Sequence, residues 1–331
     1  MKGQTGWTDL PVARARRARA PRRRFLLWGT IAALVAMIGG VVGVALYVGW
    51  QLTHPARKPL TGTPADWGLA YEAVTFPSVG DEAPLLLNGW YLAAQANGAK
   101  PKPGVIVFAH GYRQNRLQED VPALALARDL VRAGYDVLLF DFRNSGQSPG
   151  QVTTVGILEQ RDLLGAVQYA RQRRPDARVG LLGFSMGAAT AIQAAAASLD
   201  VAAVVADSPF ADLEAYLEEN LSVWSGLPHY PFTPLILSLI PPLIGADPAA
   251  MSPVRAVAAF AGRPLLLIHG TADAKIPLED SRAIAQQARA HAAVELWTVE
   301  GADHVKAYAH NPAAYTKKVL AFFDQHLGSS R

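Results

Sequence analysis

The sequence predicts an α/β fold: a mostly parallel, doubly wound sheet with a cap insertion, preceded by one transmembrane helix. Three observations predict it. From Gly104 onward, short continuous apolar runs alternate with helix-like segments, the pattern of strands buried on both faces and joined by crossover helices. One segment, about 210–252, breaks that rhythm with six prolines. Near the N-terminus, Phe25 to Trp50 runs for 26 residues without a charge.

The elements follow in order. Residues 1–24 hold eight Lys/Arg and one Asp, a net of +7 in a chain whose total is +4, so the remainder carries −3. The basic balance belongs to this tail, and it gives no ground for nucleic-acid binding by the rest. Residues 25–50 read as a transmembrane helix, since about 20 apolar residues cross the hydrocarbon core. Trp28, Tyr47 and Trp50 lie toward its ends, as interfacial aromatics do. Two rivals stand beside this reading: a buried core helix, and a cleaved leader. Arg22-Arg23-Arg24-Phe25-Leu26 resembles a twin-arginine signal. The run is nonetheless long for a leader, and no A-x-A-like site follows it. The positive-inside rule keeps the arginines cytoplasmic, so the expectation is a single-pass cell-membrane protein with its catalytic domain on the extracytoplasmic side.

Residues 51–70, with Pro55, Pro59, Gly62 and Pro64, read as a linker. Residues 71–331 form the main domain. Ala73–Phe76 and Leu85–Leu92 are expected strands of an antiparallel start. Val105–Ala109, Val137–Phe140, Val179–Phe184, Val201–Ala206, Leu265–Ile268 and Val294–Val299 are the parallel series. Helices are expected over 121–133, 157–174 and 188–198. The Pro-rich segment 210–252 is too long for a simple connection and reads as a cap over the site. Cysteine is absent, which excludes disulfides, thiolate nucleophiles and Cys-based zinc sites. Neither H-E-x-x-H nor a phosphate-binding G-x-x-x-x-G-K-[ST] occurs, so no metal and no cofactor is expected.

In such a sheet, functional groups collect at the carboxyl ends of the strands. The residues after each apolar run are therefore the informative ones. Gly183-Phe184-Ser185-Met186-Gly187 is G-x-S-x-G between a strand and a helix-like run, the pattern of a nucleophile elbow. The flanking glycines suit a turn too tight for side chains. Leu265–Ile268 leads to His269-Gly270-Thr271-Ala272-Asp273, and Val294–Val299 leads to Glu300-Gly301-Ala302-Asp303-His304. Serine needs a base, and histidine can take its proton and return it to the leaving group. An acid fixes the imidazole tautomer. Ser185, Asp273 and His304 supply nucleophile, acid and base in that chain order. The backbone N–H groups of Met186 and Tyr112 are the expected oxyanion donors. His110 and His269 read as structural or loop-orienting. Asp207 and His310 are the rival acid and base. Asp141 and Arg143 read as loop braces.

The motifs His110-Gly111-Tyr112 with Asn115, Asp141-x-Arg143-x-x-Gly146-x-Ser148, Gly183-x-Ser185-x-Gly187, His269-Gly270-x-x-Asp273-x-x-x-Pro277 and Gly301-x-x-His304 carry a resemblance. From about 72 to 326 the chain resembles serine hydrolases of the α/β-hydrolase superfamily. It is similar to bacterial members near the serine-aminopeptidase-like and dienelactone-hydrolase-like branches. That resemblance implies fold and triad, and an ester or acyl small molecule as substrate, without choosing among esterases, thioesterases and peptidases. It departs from lipases in one place. Tyr112 follows Gly111 where they carry a glycine-rich oxyanion motif, which weakens an assignment to bulky triglycerides.

The leading expectation is a carboxylic-ester hydrolase working through an acyl-Ser185 intermediate. A peptidase, amidase or thioesterase on the same site is the first alternative. Glu214, Glu218 and Glu219 could meet a substrate amine, although the spacing also fits a solvated helix face. A catalytically inactive, membrane-tethered binding protein is the alternative from another class. Oligomeric state is not encoded in any of these features.

Overall fold

The structure, a computed structural model, describes residues 20–328, with the backbone alone for 20–23. The basic tail expected over 1–24 thus lies outside the described residues as far as 19. Contacts divide the chain into two units, 1–44 and 45–331. The division falls inside the apolar run. Helix α1 spans Ala20–Thr53. Its part from Arg24 to Thr53 is long and apolar enough to cross a membrane. In the first unit it is the sole described element, and its large apolar side chains, Phe25 to Ile38, are exposed.

Among the described residues of the second unit, the apolar runs become eight strands of one sheet. The elements are β1 (Glu72–Pro77), β2 (Leu86–Leu92), β3 (Gly104–Ala109), α2 (Ala123–Arg132), β4 (Asp136–Phe140), α3 (Glu159–Arg173), β5 (Arg178–Phe184), α4 (Met186–Ala197) and β6 (Val201–Asp207). Then come α5 (Leu213–Ser225), α6 (His229–Ile244), α7 (Pro253–Ala256), β7 (Pro264–Gly270), α8 (Leu278–Ala288), β8 (Ala293–Val299), α9 (Ala307–His310) and α10 (Pro312–Leu327). The strand order is β1-β2-β4-β3-β5-β6-β7-β8. β2 runs antiparallel to both its neighbours, and every other pair is parallel. The sheet is thus the mostly parallel one expected, with its antiparallel start.

Alternation along each strand feeds two cores. Ile106 and Phe108 of β3 pack with Leu126, Leu130, Tyr315 and Phe323 from α2 and α10. Val105 and Val107 face Leu163, Val167, Ile192 and Ile284 from α3, α4 and α8. All six residues of β3 are buried, which explains its uninterrupted apolar sequence. The helix expected from Ile157 begins at Glu159 instead. The buried Glu159 carboxylate accepts hydrogen bonds from Thr154 N (2.8 Å), Thr154 Oγ1 (2.7 Å) and Gly156 N (2.8 Å), holding the preceding residues in a turn. Likewise α2 starts after Pro122, which sits at its N-cap.

The Pro-rich insertion is two helices and a short turn. Asp212 caps α5, its carboxylate accepting from Ala215 N at 3.2 Å, and Gly226 ends it in the left-handed region at φ 68°. The second helix, α6, presents Ile236 and Ile240 to Leu221 of α5 and to Ala45 of α1. The insertion follows β6 and stands on the edge of the sheet where the strands end.

Candidate active site

β5 delivers Ser185 into a turn that side chains could not make. A Cβ on Gly183 would sit 2.3 Å from the carbonyl oxygen of Gly187. One on Gly187 would sit 2.0 Å from that of Ala109. Both contacts are against backbone, so neither can relax. Ser185 itself has φ 54° and ψ −118°, a conformation that a residue with a Cβ rarely adopts. Its N–H donates to Asp207 O at 2.8 Å, tying the turn to the end of β6.

The loops after β7 and β8 bring the other two groups. Ser185 Oγ lies 2.9 Å from His304 Nε2. His304 Nδ1 lies 2.8 Å from Asp273 Oδ2. A carboxylate only accepts, so Nδ1 carries the proton and Nε2 is left to accept from the serine hydroxyl. Asp273 Oδ1 accepts from Lys275 N and Ile276 N, both at 2.9 Å. The Asp273 side chain is fully buried, and the His304 side chain is 7% exposed. Burial opposes charge on Asp273. The neighbouring His269 and His304 imidazoles and the hydrogen bond from Ile276 N outweigh it and hold the carboxyl well below the usual carboxylate range. Asp303 accepts from His304 N (2.7 Å) and Ala274 N (3.2 Å), so it links the His304 loop to the Asp273 loop.

Comparison with known proteins agrees with this architecture. Residues 104–231 match the sequence profile described as alpha/beta hydrolase fold. The uncharacterized protein YqkD of Bacillus subtilis is 31% identical over 225 residues, covering 67% of this chain and 72% of that protein. The chain belongs to the alpha/beta hydrolase family. The esterase Pf2001 of Pyrococcus furiosus has a solved structure with 27% identity and a TM-score of 0.67, covering 83% of this chain and 100% of that one. The human protein ABHD12B is 27% identical over 210 residues, 60% of this chain and 53% of its own length.

In this hydrolase the rival residues lie elsewhere. Asp207 Oδ2 accepts from Tyr315 OH at 2.9 Å and Oδ1 from Ser208 Oγ at 3.0 Å, and it makes no hydrogen bond with His304. Burial pushes its carboxyl up to about 6, against the hydrogen bonds from Tyr315 and Ser208. His310 is exposed in α9. His110 is buried, with Nδ1 donating to Gly111 O at 2.9 Å and Nε2 accepting from Phe142 N at 3.1 Å. Asp141 braces two loops. It pairs with Arg116 at 2.6 Å and accepts from Gln147 N at 2.8 Å, and both partners of the ion pair are buried. Arg143 is held between Asp162 (2.7 Å) and Asp81 (2.8 Å). Glu214, Glu218 and Glu219 are exposed on α5, away from the cavity.

His269 orients a loop, as its place before Gly270 suggested. Its Nε2 donates to Ile276 O at 3.0 Å and lies 3.4 Å from Asp273 Oδ2, and Nδ1 is 2.7 Å from Ser281 Oγ. It clamps the loop that carries Asp273. The four-residue spacing to Asp273 was the available signal. Met186 opens α4, so its N–H is among those a helix leaves unpaired at its start. Gly111 brings its loop against the serine: a Cβ there would lie 3.5 Å from Ser185 Cβ. Gly111 N donates to Gln118 Oε1 at 2.6 Å. Tyr112 follows it on the same loop.

A cavity of about 120 Å³ opens beside Ser185. Tyr112, Met186, Phe210, Tyr216 and Trp224 line it near the serine, and Ile236, Ile240 and Ile244 of α6 line its far side. Among the described residues, no Asp, Glu, Lys, Arg or His lines it.

Proposed function

We propose that this hydrolase cleaves carboxylic esters with apolar substituents through an acyl-Ser185 intermediate. The observation that carries the proposal is the hydrogen-bonded series Ser185–His304–Asp273, at 2.9 and 2.8 Å, opening into a cavity without a charged wall.

The chemistry follows from the geometry. His304 Nε2 takes the hydroxyl proton as Ser185 Oγ attacks the ester carbonyl. Asp273 stabilises the resulting imidazolium and keeps its Nδ1–H in place. The N–H groups of Met186 and Tyr112 receive the oxyanion. The tetrahedral adduct then collapses, and His304 returns the proton to the departing alcohol oxygen. Water repeats the sequence on the acyl-serine, releasing the acid and restoring the hydroxyl.

The uncharged cavity favours esters over peptides read from a free amine, because burying an ammonium needs a partner charge. The esterase Pf2001 supports the same reading at 27% identity. An inactive binding protein would have no need of the aligned hydrogen bonds. The helix Arg24–Thr53 and the arginines before it support a membrane anchor with the catalytic domain outside the cytoplasm. The test is hydrolysis of chromogenic acyl esters by the full chain and by Ser185→Ala. Activity should fall by several orders of magnitude in the variant. Equal rates would reject Ser185 as the nucleophile. A panel of aminoacyl amides cleaved faster than the esters would move the assignment to peptidases.

A further inference from the structure

We infer that the last turns of α1, Ala45–Thr53, form a wall of the substrate site, and that the substrate is an ester with a flexible hydrocarbon chain drawn from the membrane. This rests on the ester reading above and names its substrate class.

The first ground is burial along one face of the helix. Ala45 and Gly49 are buried, while Val44, Tyr47 and Trp50 between and beside them are exposed. Positions 45, 49 and 52 share one face. That face packs on Leu221, Ile236 and Ile240 of the cap. At Gly49 the approach is closer than any side chain permits. A Cβ would lie 2.3 Å from Ile240 Cγ1 and 2.6 Å from its Cδ1.

The second ground is continuity with the nucleophile. Gly49, Leu52 and Thr53 line the same cavity as Ser185, Met186 and Tyr112. Two carbonyls at the end of α1, which a helix leaves unpaired, are capped by residues of that cavity. Leu52 O accepts from the Tyr112 hydroxyl, and Thr53 O accepts from Thr153 N at 2.8 Å. The helix end is therefore fastened to the loop that carries the oxyanion donor.

The third ground is length. Phe25–Val44 is 20 residues, or about 30 Å of helix, which matches the hydrocarbon core. A span over those residues would leave Ala45–Thr53 to wall the cavity where the chain emerges from the apolar phase. An ionic substrate would shed its hydration in this cavity without finding a partner. A hydrocarbon chain gains there, by about fourfold in binding for each buried methylene.

The experiment uses the full chain in phosphatidylcholine vesicles with p-nitrophenyl esters from acetate to decanoate. For the wild type, kcat/KM should rise with chain length. Gly49→Leu, which drives Ile240 into the cavity, should lower kcat/KM for decanoate at least tenfold more than for acetate. Leu52→Trp should do the same and stands in if Gly49→Leu does not fold. Labelling of Ser185 by a fluorophosphonate reports folding independently. Wild type that labels yet cleaves no ester sinks the ester reading itself. Ester cleavage with a flat chain-length profile, or equal losses on acetate and decanoate, overturns the wall assignment. A fluorogenic long-chain ester should be cleaved at least tenfold faster when it shares the enzyme's vesicles than when held in separate ones. Equal rates overturn the membrane as source.

Discussion

Replacing Ser185 by glycine and by alanine separates backbone strain from loss of the proposed nucleophile. Both variants lose the 2.9 Å contact with His304, so that term cancels between them. They differ in Cβ. Alanine must keep φ 54°, ψ −118° with a side chain present, whereas glycine adopts it freely. Such a conformation costs about 1–3 kcal/mol. Glycine loses about 0.5–1 kcal/mol to the greater freedom of its unfolded chain. The balance leaves Ser185→Gly more stable than Ser185→Ala by about 1 kcal/mol, opposite to the usual order of the two residues. Urea unfolding of the full chain in detergent micelles, followed by tryptophan fluorescence, reads this as a midpoint higher by roughly 0.3–1 M. Both variants should be inactive. A glycine midpoint at or below that of alanine would refute the argument that the elbow holds its serine under strain.

Three further outcomes follow. Asp273→Asn should fold and lose about 10⁴ in kcat, because an amide donor facing Nδ1 selects the wrong tautomer; steady-state ester kinetics measures it. Gly187→Ala places a Cβ 2.0 Å from a backbone carbonyl. It should cost about 3 kcal/mol or more, seen as failure to accumulate or as a large fall in unfolding midpoint. The third concerns pH. The Asp207 carboxyl is raised to about 6 by burial, so the folded chain holds a proton there that the unfolded chain releases near its ordinary value of 3.8. Its contribution to stability is complete below 3.8 and is lost as pH rises to about 6. Asp207→Asn should flatten the decline in unfolding midpoint across that window, and an unchanged slope would count against the assignment.

Much of this was legible from strand ends. Ser185, Asp273 and His304 each follow an apolar run, and a parallel sheet gathers such positions at one edge. The glycines around Ser185 were legible because a tight turn has a chemical signature. His269 was legible as loop-orienting, but its contact with Asp273 was not, because it depends on the loop turning back through Lys275 and Ile276. Asp207 presented the opposite difficulty. It also follows a strand, and only its partnership with Tyr315, 108 residues away, shows that it faces the core rather than His304. The cap was visible as a burst of prolines, though not what it covers. Gly49 was concealed most completely. Small apolar residues satisfy a lipid bilayer and a tight packing contact equally well, so a run of them does not show where one setting ends and the other begins.

The hydrogen bond between Tyr112 and the carbonyl of Leu52 bears on how this protein can be handled. The natural place to cut away a hydrophobic leader would be after Trp50. Such a fragment would retain Ser185, Asp273 and His304 and keep its sheet whole. It would also lose Ala45 and Gly49, and Leu52 would become a fraying terminus. Ile236 and Ile240 would then face water, inviting the fragment to cover them with another copy of itself. The boundary that preserves the enzyme lies upstream of Ala45, within the stretch a purifier would most wish to discard.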